Sequence, residues 1–255
     1  MRWWRVRMIG WKCDVVSRRR ESIITMNHVV PRSGLALWLL VYSLGIGAQE
    51  AAGHWPDTPL SRTQALAELQ TLNADLLSHP SATLTLERWC GAHHLAAEAK
   101  VVARRVQGAD KPLPEGARAQ LGIGPDQPVR YRRVQLACGD RVLSDADNWY
   151  VPARLTAAMN QQLDSSDVPF GKVVQPLHFR RQTLSAELLW SPLPDGWDSG
   201  VPLPPSGSIP LDVPPHVLRH RAVLYTQDNQ PFSLVIESYT AAVLTPPLLR
   251  VSVSP

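Results

Sequence analysis

Cysteine is scarce in this chain, three residues in 255, and neither Cys90 nor Cys138 belongs to a C-x-x-C pair. Zinc-ribbon and thiol-redox chemistry therefore have no support. There is no H-E-x-x-H spacing either, and His93 and His94 are adjacent, so they point in different directions on any regular element. No metal site is read from the sequence. Long apolar runs are missing too: Gly34 to Gly47 is free of charge but about 14 residues long, short of the ~20 that cross a bilayer. No internal repeat is present. Nor is there a surplus of positive charge where a nucleic acid would need it. The net charge is +4, yet residues 1–48 hold eight of the 26 Lys and Arg and two of the 22 Asp and Glu. Residues 49–255 keep 18 basic against 20 acidic groups, which argues against nucleic acid as a partner.

What the chain does have begins with an export pattern. Met26 opens a segment with Arg32 as its positive end, the apolar stretch from Gly34, and Ile46 and Ala48 at the −3 and −1 positions of a cleavage site before Gln49. Residues 26–48 are read as a signal peptide. Residues 1–25 are read as a leader that is either untranslated, with initiation at Met26, or disordered. Residues 49–60 read as a linker and 61–255 as one domain, long enough to bury a core. The expected location is periplasmic or secreted, with a membrane involved only through the signal segment if it stays uncleaved. In an oxidising compartment Cys90 and Cys138 are a disulfide candidate; two buried free thiols are the alternative.

Leucines 66, 69, 72, 76 and 77 recur at helical spacing, with Ser61 as a cap and Pro80 as the stop. Residues 81–89 start a second helix, closed near Gly91. Residues 99–106 read as a strand. Residues 129–138, a Gly139-Asp140 turn and 141–151 read as a hairpin. A helix is expected over 152–163 with Pro152 near its start, then a strand near 179–190. Residues 191–215 hold eight of the 23 prolines and cannot form a helix or central strand. Residues 216–226 and 232–244 close the domain as a hairpin around QDNQ. Hairpins with helices between them predict an α+β fold: a single antiparallel sheet of about five or six strands with helices packed on it.

Three features carry chemistry. On strand 129–138, Arg130, Arg132, Val134 and Leu136 share one face. An arginine on an apolar face needs an anion, since an unpaired buried charge is costly, and a carboxylate held bidentately is a natural partner. A solvated arginine paired to a surface acid is the plainer alternative. Glu237 shares a face with Ser233, Val235 and Tyr239, and is the only acid after Asp228. It is either the partner of Arg132 or a site residue. Pro169-Phe170-Gly171 reads as a helix start with free N–H groups, or as an ordinary cap and turn.

The order and spacing of these segments resemble the chorismate pyruvate-lyase family and its wider fold superfamily. The carriers are Arg132-Arg133-Val134-Gln135-Leu136, then Asn148-Trp149-Tyr150-Val151-Pro152, Pro169-Phe170-Gly171, Ile236-Glu237-Ser238-Tyr239, and the earlier Ser81-Ala82-Thr83. The resemblance spans about residues 65–242 and implies a chorismate lyase-like fold. It also implies a substrate pocket in which Arg132 holds the ring carboxylate, Glu237 meets the ring oxygen, and Phe170, Gly171 and Ala82 complete the cradle. Asn148 stands where the family has a second arginine. Residues 191–215 stand where the family has a flap over its buried site.

The resemblance implies a carbon–oxygen lyase that eliminates pyruvate from chorismate to give a hydroxybenzoate, with Glu237 as general acid and no metal or organic cofactor. Two other readings stay open: a non-catalytic periplasmic module that binds a small aromatic or other organic acid, and an exported structural protein with a filled core in which Arg132 and Glu237 pair.

Overall fold

Residues 54–108 and 110–246 are described in the computed structural model of the chain. The leader, the signal segment and Cys13 lie outside them. Helix α1 runs Pro59–Ser78 and is capped by Thr58, whose hydroxyl accepts from the Ser61 backbone N–H at 3.1 Å. The cap therefore sits three residues before the expected Ser61. Pro59 suits the first helical position, where no N–H is needed, and this lets the helix begin earlier. Leu66, Leu69, Leu72 and Leu76 are buried along it, while Leu77 is half exposed. His79 takes an extended conformation ahead of Pro80, as a residue before proline must, and the helix stops. Helix α2, Ala82–Ala92, follows at once with Ser81 as its cap.

The stretch read as a linker is packed over its described part. Trp55 is buried in the main core, and its carbonyl accepts from Leu211 N–H at 2.8 Å. The indole needs an apolar seat, and the proline-rich segment holds the Trp55 main chain in place through the Leu211 bond.

Strands β1 (Val101–Arg105), β2 (Arg130–Cys138), β3 (Arg141–Tyr150), β4 (Arg180–Leu188), β5 (His216–Tyr225) and β6 (Pro231–Thr240) form one sheet. Every neighbouring pair is antiparallel, in the order β1-β2-β3-β6-β5-β4. With the helices packed on it, this is the α+β architecture expected. Gly139 turns the β2–β3 hairpin at φ +55°, and a Cβ there would lie 2.8 Å from that of Ala96, so glycine is required twice over. The one-turn helix α3 (Ala117–Gln120) covers part of the sheet with Leu121 against Trp149, Val223 and Leu234.

The helix expected over 152–163 is divided. Pro152–Arg154 is a separate 3₁₀ turn, and helix α4 is Ala157–Ser165, capped by Thr156 through Met159 N–H at 3.2 Å. A side-chain cap at Thr156 outcompetes Pro152 as the start because it satisfies an orphan N–H. Helix α5, Phe170–Val173, is a single turn. Residues 191–215 hold only a 3₁₀ turn at Trp197–Ser199. Cys90 of α2 and Cys138 at the end of β2 are joined as a disulfide, with Cα atoms 6.5 Å apart, inside the bridging range.

Candidate functional site

Alternation along the strands puts Arg132 and Val134 of β2, Ala146 and Asn148 of β3, and Val235 and Glu237 of β6 on one face. Above them lie Ala82 and Thr83 at the start of α2 and Phe170 and Gly171 of α5. Together with Phe179, Arg181 and Leu224 they enclose a crevice. Its cavity volume is about 40 Å³. It is thus a narrow slot at the seam of two apolar clusters, one under α1 and α2 and one under α4 and α5. All six residues singled out from the sequence as a site, Ala82, Arg132, Asn148, Phe170, Gly171 and Glu237, line it.

Arg132 is 6% exposed. Among the described residues its guanidinium makes one hydrogen bond, a long donation from Nη2 to the Val168 carbonyl at 3.4 Å, and its Nε–H has no partner. Among the described residues no carboxylate reaches ion-pair distance of it. Burial, reinforced by the nearby charge of Arg105, pulls the guanidinium down to about 10, so it is still a cation at neutral pH. Asn148 sits directly across the strand pair from Arg132. Its Oδ1 accepts from Ser233 Oγ at 2.6 Å, which leaves a buried Nδ2 without a partner.

Glu237 is not the partner of Arg132. It pairs with Arg181 of β4 at 2.6 Å, with side chains 9% and 5% exposed, and accepts from the Tyr239 hydroxyl at 3.3 Å. Burial alone would lower the Arg181 guanidinium, but the charge and hydrogen bond of Glu237 outweigh it and the net shift is upward. Burial, then the Glu237 charge, holds the Tyr239 phenol well above its ordinary range, so it keeps its proton. His220, directly across from Glu237 on β5, is fully buried; desolvation takes it down to about 4, and its Nε2 meets Asn73 Oδ1 at 2.8 Å. It is neutral at pH 7.

Arg181 was not singled out from the sequence. The signal was present as Arg180-Arg181 on a strand: alternation sends one outward, where Arg180 lies 4.0 Å over the Tyr225 ring, and the other inward. An isolated strand glutamate such as Glu237 calls for that inward cation.

Phe170 forms an apolar wall, its ring packed on Tyr150 and Phe232 at 5.5 and 6.3 Å. Gly171 permits close approach, since a Cβ there would lie 2.9 Å from Ser81 Oγ. A single turn of helix has little macrodipole, so α5 contributes shape more than charge. The proline-rich segment adds no residue to the crevice wall; it packs instead on the N-terminal stretch, with Gly207 N–H donating to the Asp57 carbonyl at 2.8 Å. Among the described residues no cluster of three or more His, Cys, Asp or Glu is arranged to hold a metal ion, and no helix is long and apolar enough to cross a membrane.

No family model matches the chain. Over 224 residues it is 55% identical to the uncharacterized protein y4mC of Sinorhizobium fredii, an alignment covering 88% of this chain and 94% of that protein. Among solved structures, PhnF from Mycobacterium smegmatis aligns with a TM-score of 0.43 and 14% identity, over 66% of this chain and 67% of its own. The effector domain of that PhnF aligns with a TM-score of 0.42 and 15% identity, over 66% and 93%. A GntR-family transcriptional regulator from Enterococcus faecalis aligns with a TM-score of 0.35 and 16% identity, over 57% and 98%.

Proposed function

The chain belongs to the same family as the y4mC protein of Sinorhizobium fredii, and we propose that its folded domain is a binding module for a small organic carboxylate, an aromatic acid in the first instance. The observation that carries this reading is Arg132: a buried cation with no carboxylate of its own, facing a slot with apolar walls. Such a charge is expensive to keep, and a ligand carboxylate supplies the missing partner through charge-assisted hydrogen bonds. Phe170, Phe179, Val134 and Val235 offer the flat or aliphatic remainder of a ligand an apolar lining. The same unpaired Arg132 weighs against a structural protein in which Arg132 and Glu237 satisfy one another.

Glu237 in the same slot supports a second reading, the chorismate lyase-like one. There Arg132 clamps the ring carboxylate, the carbon–oxygen bond to the enolpyruvyl group breaks, pyruvate leaves, and the ring loses a proton to become aromatic. Glu237 acting as acid would first have to leave Arg181, and Asn148 offers no charge for a second carboxylate. Binding without turnover therefore ranks first.

The domain is proposed to work outside the cytoplasm. The Met26–Ala48 export pattern and the Cys90–Cys138 bridge support this.

Calorimetric titration of the purified protein with benzoate and 4-hydroxybenzoate, beside Arg132→Met, tests the proposal. Binding lost in the variant is the expected result. Absence of binding, or binding indifferent to Arg132, overturns it. Pyruvate release from chorismate in a parallel incubation would promote the lyase reading.

A further inference from the structure

We infer that Glu237, by neutralising Arg181, sets the charge of the ligand: the slot takes a monocarboxylate and turns away a dicarboxylate. The inference rests on the reading of the slot as a carboxylate site and adds which carboxylates it accepts. Among the described residues three charged side chains line the slot, Arg132, Arg181 and Glu237, so its described wall carries a net of one positive charge. One carboxylate on Arg132 balances it.

A second ligand carboxylate has nowhere to go. Asn148, opposite Arg132, can donate a hydrogen bond through its free Nδ2 but brings no charge. The remaining cation is Arg181, and its charge already meets that of Glu237 at 2.6 Å with both side chains almost wholly buried. A carboxylate brought against Arg181 enters the field of Glu237, and like charges inside a protein repel far more strongly than in water. The groups behind Glu237 give no relief. His220, across the strand pair, is neutral, and Tyr239 donates a hydrogen bond without charge. Outside the slot, Arg105, Asp164 and Asp167 lie near Arg132, and Asp164 is paired with Arg130 at 2.8 Å; two positive and two negative charges cancel there, leaving the balance at the wall unchanged.

The test compares two ligands of one shape and different charge, isophthalate and 3-carbamoylbenzoate, with benzoate as a reference. The unaltered protein is expected to bind benzoate and 3-carbamoylbenzoate and to bind isophthalate at least about tenfold more weakly, a difference of about 1.4 kcal/mol. Glu237→Gln keeps a hydrogen-bonding side chain beside Arg181 and frees its charge, so the ratio should move at least about tenfold toward isophthalate. The double variant Arg181→Met/Glu237→Leu removes both charges and keeps the net of one, so isophthalate should again be refused. The double variant also decides the matter should Glu237→Gln fail to fold. Equal or tighter isophthalate binding by the unaltered protein, an unmoved ratio in Glu237→Gln, or isophthalate binding by the double variant overturns the inference. So does benzoate binding with neither disubstituted ring accepted, because size would then be the selector. Failure of benzoate itself to bind removes the carboxylate site, and this inference with it.

Discussion

Arg132 and Asn148 face each other across β2 and β3, and each buries an N–H group with no hydrogen-bond partner. Side chains directly opposed on an antiparallel pair have Cβ atoms about 5 Å apart, so the two orphan donors flank the same small volume. Leaving a buried donor unsatisfied costs about 1–3 kcal/mol, and here two such costs sit side by side. A buried group left without a partner calls for a reason, and a bound ligand that pairs with it is one such reason.

The first prediction follows from the sign of that cost. Arg132→Met removes an uncompensated buried charge and fills the space with apolar atoms, so the ligand-free domain should gain about 1–3 kcal/mol. The same change should erase any stabilisation by benzoate. Urea unfolding with and without benzoate reads both effects. A variant less stable than the parent in the absence of ligand would mean that Arg132 is a structural group.

The Arg181–Glu237 pair should behave in the opposite way. Either single change, Arg181→Met or Glu237→Leu, strands a buried charge and should cost about 3–5 kcal/mol, while the double change should cost much less. A double-mutant cycle of unfolding free energies should therefore give a large coupling energy. Additive single effects would show that the two side chains do not stabilise one another.

Much of the site is legible in the sequence because strands alternate. Arg132 stands out among Val134 and Leu136, and Glu237 as the one acid after Asp228. The Gly139-Asp140 hairpin likewise follows from local turn chemistry. Arg181 is harder to see: its neighbour Arg180 has the same chemistry, and which of them turns inward depends on the register of β4 against β5. That register is a long-range property. The burial of Trp55 is hidden for the same reason, since its neighbours include Leu211, more than 150 positions away in the chain. The start of α1 is a contest between two good caps, Thr58 and Ser61, settled by a proline that helices accept at their first position.

His220 makes the fold acid-sensitive in a window of its own. Burial lowers its folded-state value to about 4, against about 6.5 in an unfolded chain. The unfolded state therefore binds the proton first. The stability linked to the neutral ring is fully present above about pH 6.5 and is lost as the pH falls toward 4. The linked effect is at most on the order of 3 kcal/mol. Unfolding free energies measured from pH 7 to pH 4 should fall more steeply for the parent than for His220→Gln, which can still meet Asn73. Parallel curves would assign the acid sensitivity to other groups.

The last prediction joins the disulfide to the proposed location. Cys90 and Cys138 are both fully buried, and the bridge ties α2 to the end of β2 across 48 positions of sequence. In the chain-entropy model a loop of that length is worth at most about 4 kcal/mol. Cys90→Ala/Cys138→Ala should therefore unfold at lower urea, with a loss of about 2–4 kcal/mol. Reductant should reach the bridge only through unfolding, so mild reducing conditions should leave the native protein oxidised. The proposed export would carry the chain to an oxidising compartment, where such a bond can form. Intact-mass analysis of protein from a periplasmic extract should show a chain that begins at Gln49 and is lighter by two hydrogens than its reduced form. Soluble cytoplasmic protein that keeps the 26–48 segment and two free thiols would remove the case for export, while leaving the carboxylate site to be judged by its own tests.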